Sequence, residues 1–224
     1  MSLAGEVRLV AGKDLRIEAR SRVTLAQVLP FGGIVLLLFA FALDPDRGRL
    51  AAVAPGLFWV AVLLAALLAI GRSFAIEQQN GARDGLRLSG IDGAAVFLGK
   101  TIAVAAQLLL LEVVLGLGVA VLYGVDVTSV VVLVVAGVAA TAGLAATGTL
   151  FGVLAAGLRT RETLLPLLLL PVITPVMLGA TRAFESGLGG EPAEAWPWIA
   201  LLGAFAVLYV SVGVLAFGPL WEDS

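Results

Sequence analysis

Residues 50–70 read LAAVAPGLFWVAVLLAALLAI, without one charged side chain. About 20 mostly apolar residues in a helix cross the hydrocarbon core of a bilayer, so this stretch is long enough to span one. Working outward, five further stretches have the same character: about Val23–Leu43, Thr101–Leu122, Val130–Leu158, a short proline-rich run Leu164–Ala180, and Trp196–Phe217. Six spans leave little of the 224 residues for anything else. The expected fold is all-α and integral to the membrane, one transmembrane domain of six helices. Its parts are a polar N-terminal segment over 1–22, two spans within 23–70, a polar loop over 71–100, four spans within 101–217 and a tail over 218–224.

Lysine and arginine set the expected orientation, because short cytoplasmic loops carry the excess of both. With the N-terminus inside, Arg8, Lys13, Arg16, Arg20, Arg22, Arg72, Arg83, Arg87, Lys100, Arg159 and Arg161 are cytoplasmic, whereas Arg47, Arg49 and Arg182 are outside. Both termini are then cytoplasmic and the protein is multi-pass. Glu6 to Arg22 is too charged to form the apolar region of a cleavable signal.

Composition excludes whole classes of chemistry. The chain is 60% hydrophobic and 13% charged, with no histidine, no cysteine and only two methionines, Met1 and Met177. Disulfides, thiol and imidazole catalysis and the common zinc sites are thereby removed. A net charge of -2 gives no electrostatic footprint for nucleic acid. No bound cofactor and no metal is expected of the chain itself, and it reads as non-catalytic.

The longest polar stretch, Gly71 to Lys100, carries spaced apolar residues (Phe74, Ile76, Leu86, Leu88, Ile91) broken by Gly81, Gly85 and Gly90. It reads either as a surface helix that docks a cytoplasmic partner or as a connector that caps the second and third spans. Gly99-Lys100-Thr101 imitates the end of a phosphate-binding loop. That loop requires a glycine where Ala94 stands, and a strand before it, so Lys100 reads as an interfacial anchor. In the N-terminal segment the apolar residues fall on no single clean face, Gly12 interrupts them, and Asp14 is placed to cap a second short helix.

Within the spans, Glu112 is the one ionisable group near mid-membrane, a position that is costly unless it faces protein or water. Thr141 and Thr147 are its candidate partners, and Gln107 is a candidate for the same polar seam. Gly148 and Gly152 form a G-x-x-x-G pair that permits close helix approach. Pro166, Pro171 and Pro175 are expected to bend or break the fifth span, setting it against a cavity or a partner, with Thr181–Glu194 as the largest outer loop. Trp59, deep in the second span, is read first as helix packing and second as a stacking surface for a flat ligand.

Four stretches together resemble the haem exporter B family (CcmB, of c-type cytochrome maturation), within the six-span ABC-2-type permeases. They are KDLRIEAR (Lys13–Arg20), APGLFWVAVLLAALL (Ala54–Leu68), Glu77–Lys100, and LPLLLLPVITPVMLGA (Leu165–Ala180). The resemblance covers nearly the whole chain. It departs from the family pattern at Gln78-Gln79-Asn80-Gly81 and at Ser89-Gly90, where acidic residues and a proline would be expected. It implies a type V exporter-like permease fold. It implies a partner ATPase that binds ATP and Mg, a haem-handling membrane protein, a small accessory membrane subunit and a periplasmic haem chaperone. ATP hydrolysis by the partner would drive haem export or release of the loaded chaperone. By position, Glu77, Gly81, Leu86, Leu88 and Ser89 would touch the ATPase. Two membrane halves per transporter imply a second copy of this chain. The alternatives are a permease of the same fold for a lipid, drug or glycan, a scaffold, and, least supported, a membrane enzyme. The haem ligands available here reduce to Met177, Tyr123 and Tyr209 apart from the initiator methionine, so haem iron is expected to be held by partners.

Overall fold

A computed structural model describes residues 2–21, 28–42, 47–79, 90–156 and 161–223. Among these, regular structure is helical throughout: α1 (Leu3–Ser21), α2 (Leu29–Ala42), α3 (Arg47–Gln79), α4 (Gly93–Tyr123), α5 (Val130–Ala156), α6 (Arg161–Gly187) and α7 (Ala195–Asp223), with one 3-10 turn at Pro192–Glu194. Five helices, α3 to α7, are long and apolar enough to cross a membrane, and the chain is a multi-pass integral membrane protein. The first expected span, Val23–Leu43, is represented by α2. At 1.5 Å per residue its 14 residues reach about 21 Å, short of the ~30 Å hydrocarbon core. The flanking positions 22–27 and 43–46 lie outside the described residues.

α5 is the hub, packed against α3, α4, α6 and α7. Every residue from Gly143 to Leu150 is buried, and six of these eight are glycine, alanine or threonine. Small side chains let backbones approach where no water is available to drive association. The Gly148/Gly152 pair serves this packing within the bundle: a Cβ at Gly148 would overlap Ile70, and one at Gly152 would overlap the Phe74 ring, both on α3.

Helix ends follow local chemistry. Asp92 caps α4, its side chain accepting from the Ala94 N–H at 2.8 Å, and Gly124 ends α4 in the left-handed region (φ 61). Beyond it, the Thr128 hydroxyl donates to the Gly187 carbonyl at 2.9 Å, tying the α4–α5 connection to the end of α6.

Several expectations are corrected. α3 continues to Gln79 and α4 begins at Gly93, so much of the Gly71–Lys100 loop is helix. α6 runs unbroken through Pro166, Pro171 and Pro175. Its buried residues Leu165, Leu169, Ile173, Val176, Ala180 and Ala183 recur every three or four positions, whereas Pro171 and Pro175 face outward on the opposite side. Proline there removes hydrogen bonds only along the outer face, and the packed face carries the helix on. The same helix takes in Thr181–Gly187, shortening the expected outer loop.

Candidate functional site: a helix junction at one end and a buried carboxyl in mid-bundle

α1 is one helix through Gly12, lying against α4. Asp14 caps nothing; it stands in mid-helix. Lys100, 1% exposed, points its Nζ at Asp14 Oδ2 (3.5 Å) and lies 4.9 Å from the centroid of the Phe74 ring. It is a buried ion-pair partner instead of an interfacial anchor. A lysine buried to this degree needs an acid and a polarisable surface to offset its lost hydration. Lys13 approaches the other Asp14 oxygen at 3.1 Å. Gly99 allows the close contact, since a Cβ there would come within 2.6 Å of Val10. About two turns earlier along α4, at its N-cap, the Asp92 N–H donates to Glu6 at 3.2 Å. The far end of α7 meets the same region, with Phe217 and Phe97 at 5.5 Å between centroids. The junction therefore joins α1 to the neighbouring ends of α3, α4 and α7, and brings the two termini of the described chain to one end of the bundle.

About 18 Å along α4 from Lys100, taking 1.5 Å per residue, lies Glu112. It is 8% exposed and accepts a short hydrogen bond from the Thr141 hydroxyl of α5. Thr147, the other candidate, instead donates to its own Gly143 carbonyl at 2.7 Å. Gln107 is not brought to the carboxyl: five residues back it lies about 140° around the helix, and no hydrogen bond joins the two. Glu112 borders a cavity of about 510 Å³ between α4 and α5, walled at the back by Phe58 and Phe184, whose rings stack at 5.0 Å. Trp59 packs edge-on against both rings, at 5.4 Å and 5.1 Å, which is the helix-packing role.

Of the residues expected to contact an ATPase, Glu77 lies near the end of α3, whereas Gly81, Leu86, Leu88 and Ser89 fall outside the described residues. Tyr123 is fully buried, its hydroxyl donating to the Leu36 carbonyl of α2 at 2.8 Å; Tyr209 and Met177 are partly buried beside the core. Among the described residues, no three His, Cys, Asp or Glu side chains gather as a metal site. Sequence reasoning missed the Asp14–Lys100 pair. Its only signal was an acid in α1 and a lysine directly before an apolar run, with nothing to pair them.

A bundle of long apolar helices, with a buried carboxyl in mid-bundle and an ion-paired junction at one end, defines a polytopic membrane protein. Residues 6–220 match the CcmB protein family, and the chain belongs to it. It is similar to proteins named haem exporter protein B. The one from Pseudomonas aeruginosa is 30% identical over 209 residues, 93% of this chain and 94% of the relative. That from Haemophilus influenzae is 31% identical over 208 residues, 91% of each. That from Paracoccus denitrificans is 30% identical over 195 residues, 85% of this chain and 88% of the relative.

Proposed function

We propose that this chain is the membrane subunit of a haem exporter complex for c-type cytochrome maturation, coupling ATP hydrolysis by a partner ATPase to haem export or to release of a haem-loaded periplasmic chaperone. The observation that carries this reading is the family match from residue 6 to residue 220, joined to relatives that share the name over nearly their whole length. In this reading the chain is non-catalytic. It has six crossings of the ABC-2 type in the inner membrane, with α2 contributing to the first, and its termini are cytoplasmic. The placement of α1 and the end of α7 together supports an even number of crossings.

The end of the bundle that holds the Lys100 junction faces the ATPase. Glu77, Gly81, Leu86, Leu88 and Ser89 form the contact, and the Asp14–Lys100–Phe74 cluster passes its movement to α1, α3 and α4. Haem is cargo, and its iron is ligated by the haem-handling membrane protein and the chaperone. Tyr123 supports that division, because its hydroxyl is already committed to Leu36. A small accessory subunit completes the complex, and the second membrane half is a further copy of this chain. Affinity purification from native membranes tests the reading. Co-purification of an ABC ATPase together with a haem-handling membrane protein is the expected result. An ATPase without any haem protein points to a permease for another substrate.

A further inference from the structure

We propose that the cavity between α4 and α5 binds a long-chain alcohol of the membrane, with its apolar body in the cavity and its hydroxyl on Glu112. The cavity, about 510 Å³, falls in the size range of small-ligand sites. Its mouth lies between Val113 and Leu117 of α4 and Val134 and Val138 of α5, all exposed on the outer surface of the bundle, so entry is lateral and from hydrocarbon.

Apart from Glu112, every lining side chain is aliphatic or aromatic or is glycine. One carboxyl oxygen is taken by Thr141. The other, Oε2, stands beside Gly137 on the cavity side, 3.2 Å from where a Cβ at that glycine would be. A polar atom facing an apolar cavity costs free energy unless a ligand pairs with it. A hydroxyl both donates and accepts, so it satisfies Oε2 whether the carboxyl is ionised or protonated. An ether only accepts, and an acidic head places a second carboxyl against the first. The lining offers no His, Cys, Met or Tyr to haem iron, which separates this site from the cargo of the proposed complex.

The test uses the full chain in its membrane complex and a diazirine-bearing hexadecanol, with hexadecanol and its methyl ether as competitors. The alcohol should label α4 and α5 near Leu117 and Val134. It should be displaced about tenfold better by hexadecanol than by the ether, the size of one good buried hydrogen bond. Glu112→Leu should abolish that preference while labelling persists. Leu117→Trp, at the exposed mouth and harmless to packing, should block labelling altogether, and it keeps the test open should Glu112→Leu not fold. Equal displacement by alcohol and ether in the unaltered chain, or labelling indifferent to Leu117→Trp, overturns the proposal.

Discussion

Lys100 Nζ lies 3.5 Å from Asp14 Oδ2, and the two residues, on different helices, are 86 positions apart in the chain. The pair is asymmetric. Lys100 is almost wholly enclosed, whereas Asp14 keeps some contact with solvent and has Lys13 as a second partner. Removing the acid should therefore hurt more than removing the base. Asp14→Asn takes the negative charge away from a buried ammonium and is expected to cost about 3–5 kcal/mol. Lys100→Met keeps the apolar stem and leaves Asp14 with Lys13, so it should cost clearly less. Thermal unfolding of the purified chain, with proteolytic release of α1 as the local readout, checks the order. Equal losses would contradict the asymmetry.

The α3–α5 contact makes a second prediction. Gly152→Ala puts a methyl into the Phe74 ring and should destabilise by about 1–3 kcal/mol, as overpacking does. The double change Gly152→Ala with Phe74→Leu should recover part of that loss. Gly203→Ala, where nothing lies within 4 Å of the added carbon, should be silent or slightly stabilising. Melting temperatures in one detergent compare all three.

The Glu112–Thr141 bond is separable from the charge of the glutamate. Thr141→Val leaves a buried carboxyl oxygen without its donor and should cost about 1–3 kcal/mol, whereas Thr141→Ser should be close to neutral. Glu112→Gln retains an acceptor for Thr141 and should melt near the unaltered chain. A Glu112→Gln variant as damaged as Thr141→Val would show that the hydroxyl bond is not what holds this residue.

Tyr123→Phe removes the only described side-chain hydrogen bond between α4 and α2. The expected cost is about 0.5–1.5 kcal/mol. It should be read locally, as faster hydrogen exchange in Leu29–Ala42 with α5 and α7 unchanged. Uniform acceleration across the bundle would mean that α2 is not a separable element.

How far these relationships could be read in advance depended on whether they lie along the chain or across it. Spans such as Leu50–Ile70 and Val130–Leu158 announce themselves through long, nearly uncharged apolar runs. Glu112 required a partner because an ionisable side chain in mid-span is costly, and Thr141 was one of two hydroxyls within plausible reach on the fourth expected span. The Gly148/Gly152 pair was likewise legible as a close contact, though not that Ile70 and Phe74 would fill it. Lys100 was misread because its role depends on where α1 docks, and no local pattern in α1 encodes a partner helix. The prolines of α6 were read as a break because their cost was weighed without the packing of Leu169, Ile173 and Val176 that opposes it. The cavity beside Glu112 had no sequence signal, since its walls are ordinary apolar residues of two spans.

The most direct measurement of the functional account is haem staining of c-type cytochromes in the native bacterium after deletion of this gene. The account predicts loss of every haem-bearing c-type cytochrome while the apocytochromes are still made and b-type haem proteins stay normal, with recovery when the unaltered chain is restored. Undiminished c-type cytochromes in the deletion strain would contradict it.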